Sequence, residues 1–122
     1  MKRILVVDDS ASVRKQVRDA VDGLGILVVE AENGERALAV LADRDRIDLI
    51  LVDVNMPVMG GYEMIRRTRA MTRYAATPIF VLTTESGTKA AKEGKAAGAT
   101  AWILKPMRPD LLAKSVCSAL GM

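Results

Sequence analysis

A three-layer α/β sandwich around a five-stranded parallel sheet is the fold class this sequence predicts, and two observations predict it. Five short apolar runs are each followed by a segment of helical period, and most of the runs lack polar alternation. Strands covered on both faces by helices read this way, whereas strands with one wet face alternate. Strand-then-helix units in series close into such a sandwich through right-handed crossovers. The 122 residues match a common size for one domain, and half of them are hydrophobic. That is enough for a core without disulfides or a structural metal.

The strand runs are Ile4–Val7, Ile26–Val29, Leu49–Val52, Ile79–Leu82 and Ala101–Leu104. After the first, Val13, Val17, Ala20, Val21 and Leu24 recur at spacings of three and four, predicting a helix with one apolar stripe. Gly25 stands where a helix is closed just past its end. Asn33-Gly34 is a turn signal before a second stripe, Ala37, Leu38 and Leu41. Met64, Ile65, Thr68 and Met71 form a third. The fourth segment, Ser86–Ala97, is the weakest, with Gly87, Gly94 and Gly98 in or beside it. Glycine inside a helix costs about 1 kcal/mol against alanine, so this helix is expected to be the most mobile. The fifth runs from about Pro109 to Leu120, with proline where a first turn tolerates it. No long linker, repeat or low-complexity tract interrupts the series, so residues 1–122 are expected to form one domain.

Composition removes several functions. With no histidine, the chain has no histidine-based zinc site, no Ser-His-Asp triad and no histidine phosphodonor. The single cysteine, Cys117, forms no intrachain disulfide and reads as a small core or helix-face residue. The formal charge of +3 is modest. Its largest basic cluster, Arg66, Arg67, Arg69 and Arg73, reads as the solvated face of a helix. No recognition motif or aromatic platform accompanies it, so nucleic-acid binding is not expected. No apolar run is long enough to span a bilayer. Lys2 and Arg3 precede only Ile4–Val7, too short for a secretory segment, which makes the cytoplasm the expected location. Met56, Met59, Met64 and Met71 read as core and loop packing rather than as a soft-metal site.

In a parallel α/β sheet the functional residues belong at the carboxyl ends of the strands. Here the first run ends in Asp8-Asp9, the third in Asp53, the fourth in Thr83-Thr84 and the fifth in Lys105-Pro106. Taken singly, an aspartate at a strand end is a helix cap or turn former. Three carboxylates converging with no lysine or arginine among them would repel, and a hard divalent cation relieves this. Oxygen ligands select magnesium or calcium. Magnesium takes one or two carboxylates and leaves room for a phosphate oxygen. Lys105 suits an incoming phosphate and Thr83 supplies a hydroxyl donor. A metal, a fixed cation, donors and an in-line nucleophile are the parts of phosphoryl transfer.

The residues Val7-Asp8-Asp9-Ser10, Asp53-Val54-Asn55-Met56-Pro57 with Gly60-Gly61, Thr83, and Leu104-Lys105-Pro106 resemble the receiver domain of bacterial response regulators, in its stand-alone, CheY-like form. The likeness covers the whole chain. It implies a flavodoxin-like sheet of strand order 2-1-3-4-5. It also implies that Asp53 accepts a phosphoryl group from a histidine kinase, forming an aspartyl phosphate. Asp9 and Asp53 would hold Mg²⁺ directly, with the backbone carbonyl of Asn55 as a third ligand and Asp8 acting through a water. Lys105 would bind the phosphoryl oxygen, Thr83 would swing toward it, and Pro106 would follow a cis peptide bond. Position 102 is the family's aromatic switch site. The face built from the fourth helix, fifth strand and fifth helix would then change its affinity for a protein target. With no output domain in view, the message is expected to pass by protein contact, with chemotaxis as the pathway the likeness leans toward.

Four positions depart from the family pattern or tune it. Trp102 replaces the usual tyrosine or phenylalanine, and a larger ring would move less; the plainer reading is a surface anchor for a partner. Thr84 stands where alanine or glycine is common, and its bulk is expected to slow phosphoryl transfer. Asn55 and Glu85 lie two residues after Asp53 and Thr83, and this pair resembles the short-lived chemotaxis type, so a fast self-resetting switch is expected. Their plainer reading is a turn residue and a solvated carboxylate. A phosphatase or phosphotransferase would want an acid at position 55. A receiver-fold binding module that is no longer phosphorylated usually lacks one of the acidic residues or the lysine, and this chain keeps them. A flavin carrier would want a Ser/Thr/Gly-rich phosphate loop after the first strand, where Asp8-Asp9 instead places two negative charges.

Overall fold

All five apolar runs form strands: β1 (Lys2–Val7), β2 (Ile26–Ala31), β3 (Leu49–Asp53), β4 (Ile79–Thr83) and β5 (Ala101–Leu104). Between and after them lie α1 (Ala11–Ala20), α2 (Gly34–Asp43), α3 (Gly61–Arg69), α4 (Thr88–Ala97) and α5 (Pro109–Leu120). This computed structural model describes residues 1–43, 46–54, 56, 58–84 and 88–122, with the side chains of 88–90 left aside. The strands pair in parallel in the order β2-β1-β3-β4-β5. Val7 pairs with Val52, Asp53 with Leu82, and Thr83 with Leu104, so the strands carrying the polar ends finish at one edge.

Continuous apolar runs predict strands buried on both faces, and this holds for the middle of the sheet. Every residue of β3 and β4 is buried, as are Ile4 to Val7 of β1. It fails for β2 and β5, whose residues are mostly half-buried or exposed. They are the edges of the sheet and have a strand neighbour on one side only. Two cores result, one on each face. The first gathers Leu5, Val7, Leu41, Ile50, Val52, Met64, Ile65 and Tyr74. The second gathers Ile4, Val6, Val17, Leu49, Leu51, Phe80, Leu82, Leu112 and Val116. The methionines serve as packing, with Met59 and Met64 buried in the first core and Met56 and Met71 against it. Cys117 is a free, half-buried thiol on α5.

Two local expectations change. Helix α1 stops at Ala20, and Leu24 lies exposed in the turn that follows rather than on the apolar stripe. Gly23, at φ +80°, adopts the left-handed conformation that carries the chain away from the helix before Gly25 is reached. Arg69 is not a solvated side chain like Arg66 and Arg67. Its guanidinium donates to the carbonyls of Gly98 (2.9 Å), Tyr74 (2.9 Å), Ala75 (3.4 Å) and Thr77 (2.5 Å). Partial burial lowers its pKa from the ordinary arginine value, without removing its charge at neutral pH. Gly98, at φ +110°, leaves room for that side chain, since a Cβ there would lie 2.8 Å from Arg69 Cγ.

Val58 is the one non-glycine residue with positive φ (72°) among the described residues, and it is 76% exposed. A β-branched side chain is strained in this region by about 1–2 kcal/mol. Val58→Gly is therefore expected to raise stability by about 1 kcal/mol. The check is the urea midpoint at unchanged slope; a lower midpoint would mean that the valine side chain supports the loop.

Candidate functional site

At the carboxyl edge of the sheet, Asp8, Asp9 and Asp53 bring carboxylate oxygens within 4.8 Å of one another. Asp8 is 1% exposed and Asp53 6%, while Asp9 faces solvent. β1 and β3 are adjacent in the sheet, so the turn leaving β1 and the last residue of β3 are forced together.

The repulsion expected among three carboxylates is partly relieved within the chain. Lys105 does lie among them: its Nζ donates to Asp8 Oδ2 (2.9 Å) and to Asp53 Oδ1 (3.1 Å). Two strands separate β5 from β1 in the sheet, and the four-carbon stem spans the gap. Burial lowers the ammonium pKa, but the hydrogen bonds and charges of Asp8 and Asp53 together outweigh it. The result lies above the ordinary 10.5. A raised lysine pKa contributes stability that is fully present below the ordinary value and fades only as pH climbs through the raised one. Lys105 is thus charged at neutral pH.

Thr83 is buried at the end of β4, and its carbonyl accepts from the Lys105 amide (2.8 Å). Thr84 is exposed just beyond it. The Lys105–Pro106 peptide is cis, as the family resemblance implies. Trp102 is 48% exposed on β5, paired with Val81, and lines an open groove with Leu104, Pro106, Arg108 and Leu111. Asn55 and Glu85 lie outside the described residues. Asp8, Asp9, Asp53, Thr83 and Lys105 are therefore brought to one edge, with Trp102 on the outer strand.

Three residues shape the site in ways that spacing does not predict: Ser10 and Gly61 of the motifs, and Arg14. The Ser10 amide donates to Asp8 Oδ1 (2.9 Å), while Ser10 Oγ accepts from the Val13 amide (3.3 Å) and caps α1. The signal for the cap was readable: serine directly before a helix, three residues ahead of Val13. Arg14 Nη1 donates to the Asp8 carbonyl (2.6 Å) and its Nε to Glu30 (3.0 Å), tying the β1–α1 turn to β2. Gly61, the first residue of α3, donates its amide to the Val54 carbonyl (3.2 Å). Ser10 holds Oδ1 of Asp8 and Arg14 its backbone carbonyl, and with Lys105 on Oδ2 the carboxylate has little freedom.

The donor set is oxygen only, mostly anionic and partly open to solvent, which fits a hard divalent cation such as Mg²⁺. Fold and site together define a parallel α/β domain with an acidic, lysine-bridged pocket at the carboxyl edge that could hold a divalent cation.

Comparison with known proteins places that class in a family. The response regulator receiver domain matches residues 4–117, and the chain belongs to that family. It is 34% identical to the chemotaxis protein CheY homolog of Campylobacter jejuni over 120 residues, covering 98% of this chain and 92% of that protein. It is 31% identical to the protein PilH of Pseudomonas aeruginosa, covering 99% of each. Among solved structures, the chemotaxis response regulator CheY4 of Vibrio cholerae superposes with a TM-score of 0.93 at 42% identity, covering 98% of this chain and 99% of that one. The chain is a CheY-like receiver, a signalling domain.

Proposed function

We propose that residues 1–122 act as one phosphorylation switch in a phosphorelay, with Asp53 as the acceptor. The observation that carries this reading is the bridge from Lys105 Nζ to Asp8 and Asp53 inside a cluster that also includes Asp9. A module that had abandoned phosphorylation would have no use for this costly concentration of charge. Asp9 and Asp53 would hold Mg²⁺ directly, with the Asn55 carbonyl, and Asp8 through a water. The ion would neutralise charge as it builds on the phosphoryl oxygens. An Asp53 carboxylate oxygen attacks the phosphorus of a kinase phosphohistidine. The P–N bond breaks, and the imidazole leaves with its electron pair. Lys105 binds a phosphoryl oxygen, at the cost of loosening its bonds to Asp8 and Asp53.

Thr83 then turns its hydroxyl toward the new acceptor oxygens, and Trp102 repacks into the space it leaves. The face of α4, β5 and α5 changes its affinity for a protein target, with Trp102, Leu104 and Leu111 as its exposed apolar residues. Asn55 and Glu85 set the lifetime of the aspartyl phosphate, which the chain helps to hydrolyse. The relatives named for chemotaxis favour that pathway. No described helix is long and apolar enough to cross a membrane, and we place the chain in the cytoplasm.

The test is intact mass after incubation with Mg²⁺ and acetyl phosphate. One added phosphoryl group is expected on the wild type and none on Asp53→Asn. A wild type that binds Mg²⁺ yet gains no phosphoryl group would favour a phosphorylation-independent binding module. Thr84→Ala is expected to speed the same reaction severalfold, because the exposed threonine narrows the approach to Asp53. An unchanged rate would discard that role.

A further inference from the structure

We infer that Gly61 is a positioning residue for the phosphoacceptor: its missing side chain lets α3 rest directly on the backbone of Asp53. A Cβ at position 61 would lie 2.3 Å from the Asp53 carbonyl oxygen, 2.8 Å from Val54 Cα and 3.1 Å from the Asp53 carbonyl carbon. Carbon and oxygen do not ordinarily approach closer than about 3.3 Å, so the three contacts leave no room for a methyl group. The obstacle is backbone and not a flexible side chain. Gly61 has no positive φ, so space and not conformation requires the glycine.

The neighbouring Gly60 separates space from composition. A Cβ there would meet only the Val54 carbonyl oxygen, at 3.7 Å, an ordinary contact. Its backbone, at φ −68° and ψ 158°, suits any residue. Two adjacent glycines therefore have opposite tolerances, and the intolerant one abuts the acceptor.

The contact bears on the backbone of Asp53, whereas the pocket chemistry bears on its carboxylate. Lys105 holds the carboxylate. The strand holds the backbone through the Val54 amide on the Leu82 carbonyl (3.4 Å). Gly61 abuts the acceptor's own carbonyl and the start of the β3–α3 loop. An added methyl must displace either α3 or Asp53 by about an ångström, a shift large enough to spoil ligand and in-line geometry. The inference rests on the reading of Asp53 as acceptor and Mg²⁺ ligand.

The experiment compares wild type, Gly61→Ala, Gly60→Ala and Met64→Ala by calorimetric Mg²⁺ titration, acetyl phosphate labelling rate and thermal midpoint. Met64 is buried on α3 in the first core, so its truncation destabilises the helix without adding an atom against the Asp53 backbone. Gly61→Ala is expected to weaken Mg²⁺ at least about tenfold and to slow labelling by about a hundredfold. Gly60→Ala and Met64→Ala should bind Mg²⁺ within about twofold of wild type, even though Met64→Ala melts earlier. If Gly61→Ala is partly unfolded, all four are titrated with trimethylamine N-oxide, which favours the folded state. Wild-type affinity in Gly61→Ala, or an equal loss in Met64→Ala, overturns the inference. A wild type that binds no Mg²⁺ overturns the acceptor reading itself, and the positioning role with it.

Discussion

Replacing Lys105 with methionine is expected to cost about 2 kcal/mol of stability in metal-free buffer and to slow phosphorylation by acetyl phosphate about 10²–10³-fold. The first effect follows from burial. Asp8 and Asp53 are nearly inaccessible and share this one ammonium, at 2.9 and 3.1 Å. Without it, two carboxylates face each other, with the Asp9 carboxylate close by. Removing one partner of a fully buried pair costs about 3–5 kcal/mol, and the solvent that still reaches Lys105 reduces this. Mg²⁺ should then restore more stability to Lys105→Met than it adds to the wild type, because it takes over the charge neutralisation that Lys105 supplies to Asp8 and Asp53. The second effect follows from position: among the described residues this ammonium is the positive charge bonded to the acceptor carboxylate, at 3.1 Å. Urea unfolding with EDTA and with saturating Mg²⁺ reads the first, and labelling rates read the second. Equal stability of the two proteins in EDTA would show that the bridge contributes nothing to folding.

Arg69→Ala should destabilise the fold by about 3 kcal/mol while leaving the acidic pocket intact. One guanidinium collects carbonyls from Gly98 after α4, from Tyr74 and Ala75 at the 3-10 turn Thr72–Tyr74, and from Thr77 ahead of β4. These oxygens lie at helix ends or ahead of a strand, so truncation removes the guanidinium from all of them at once. Hydrogen bonds to charged groups contribute about 1.5–3 kcal/mol each when lost singly, and water will repair the outermost of them. For a domain of this size the thermal midpoint should fall by roughly 10–15 °C. Arg69→Lys should recover only part of this, because an ammonium lacks the planar fork that reaches carbonyls on different sides. Mg²⁺ affinity should not change. A loss below about 1 kcal/mol would mean that solvent satisfies these carbonyls as well as the arginine does.

The count and type of the elements were legible in the sequence, because both are written in short windows. A run of Val, Ile and Leu bounded by polar residues is a strand wherever it lies, and α5 follows Pro109–Leu120 as its pattern predicts. The polar strand ends were legible for a related reason. In a parallel sheet all carboxyl ends share one edge, so Asp8, Asp9, Asp53, Thr83 and Lys105 had to lie along that edge. The family likeness added the strand order and the cis peptide, which spacing does not encode.

What only the tertiary structure decided was which groups meet. Lys105 lies 97 residues from Asp8 and 52 from Asp53 in the chain, and nothing local says that its amine falls between them. Arg69 read as one more surface cation until its neighbours in space proved to be bare carbonyls. β2 and β5 read as buried strands and became edges, since burial depends on what lies alongside and not on the strand's own residues. Gly60 and Gly61 are indistinguishable by composition, yet a methyl group fits at one and collides with Asp53 at the other. Periodicity and propensity act over a few residues and are read directly from the sequence. Packing and electrostatics depend on distances between segments far apart in the chain, which only the folded arrangement sets.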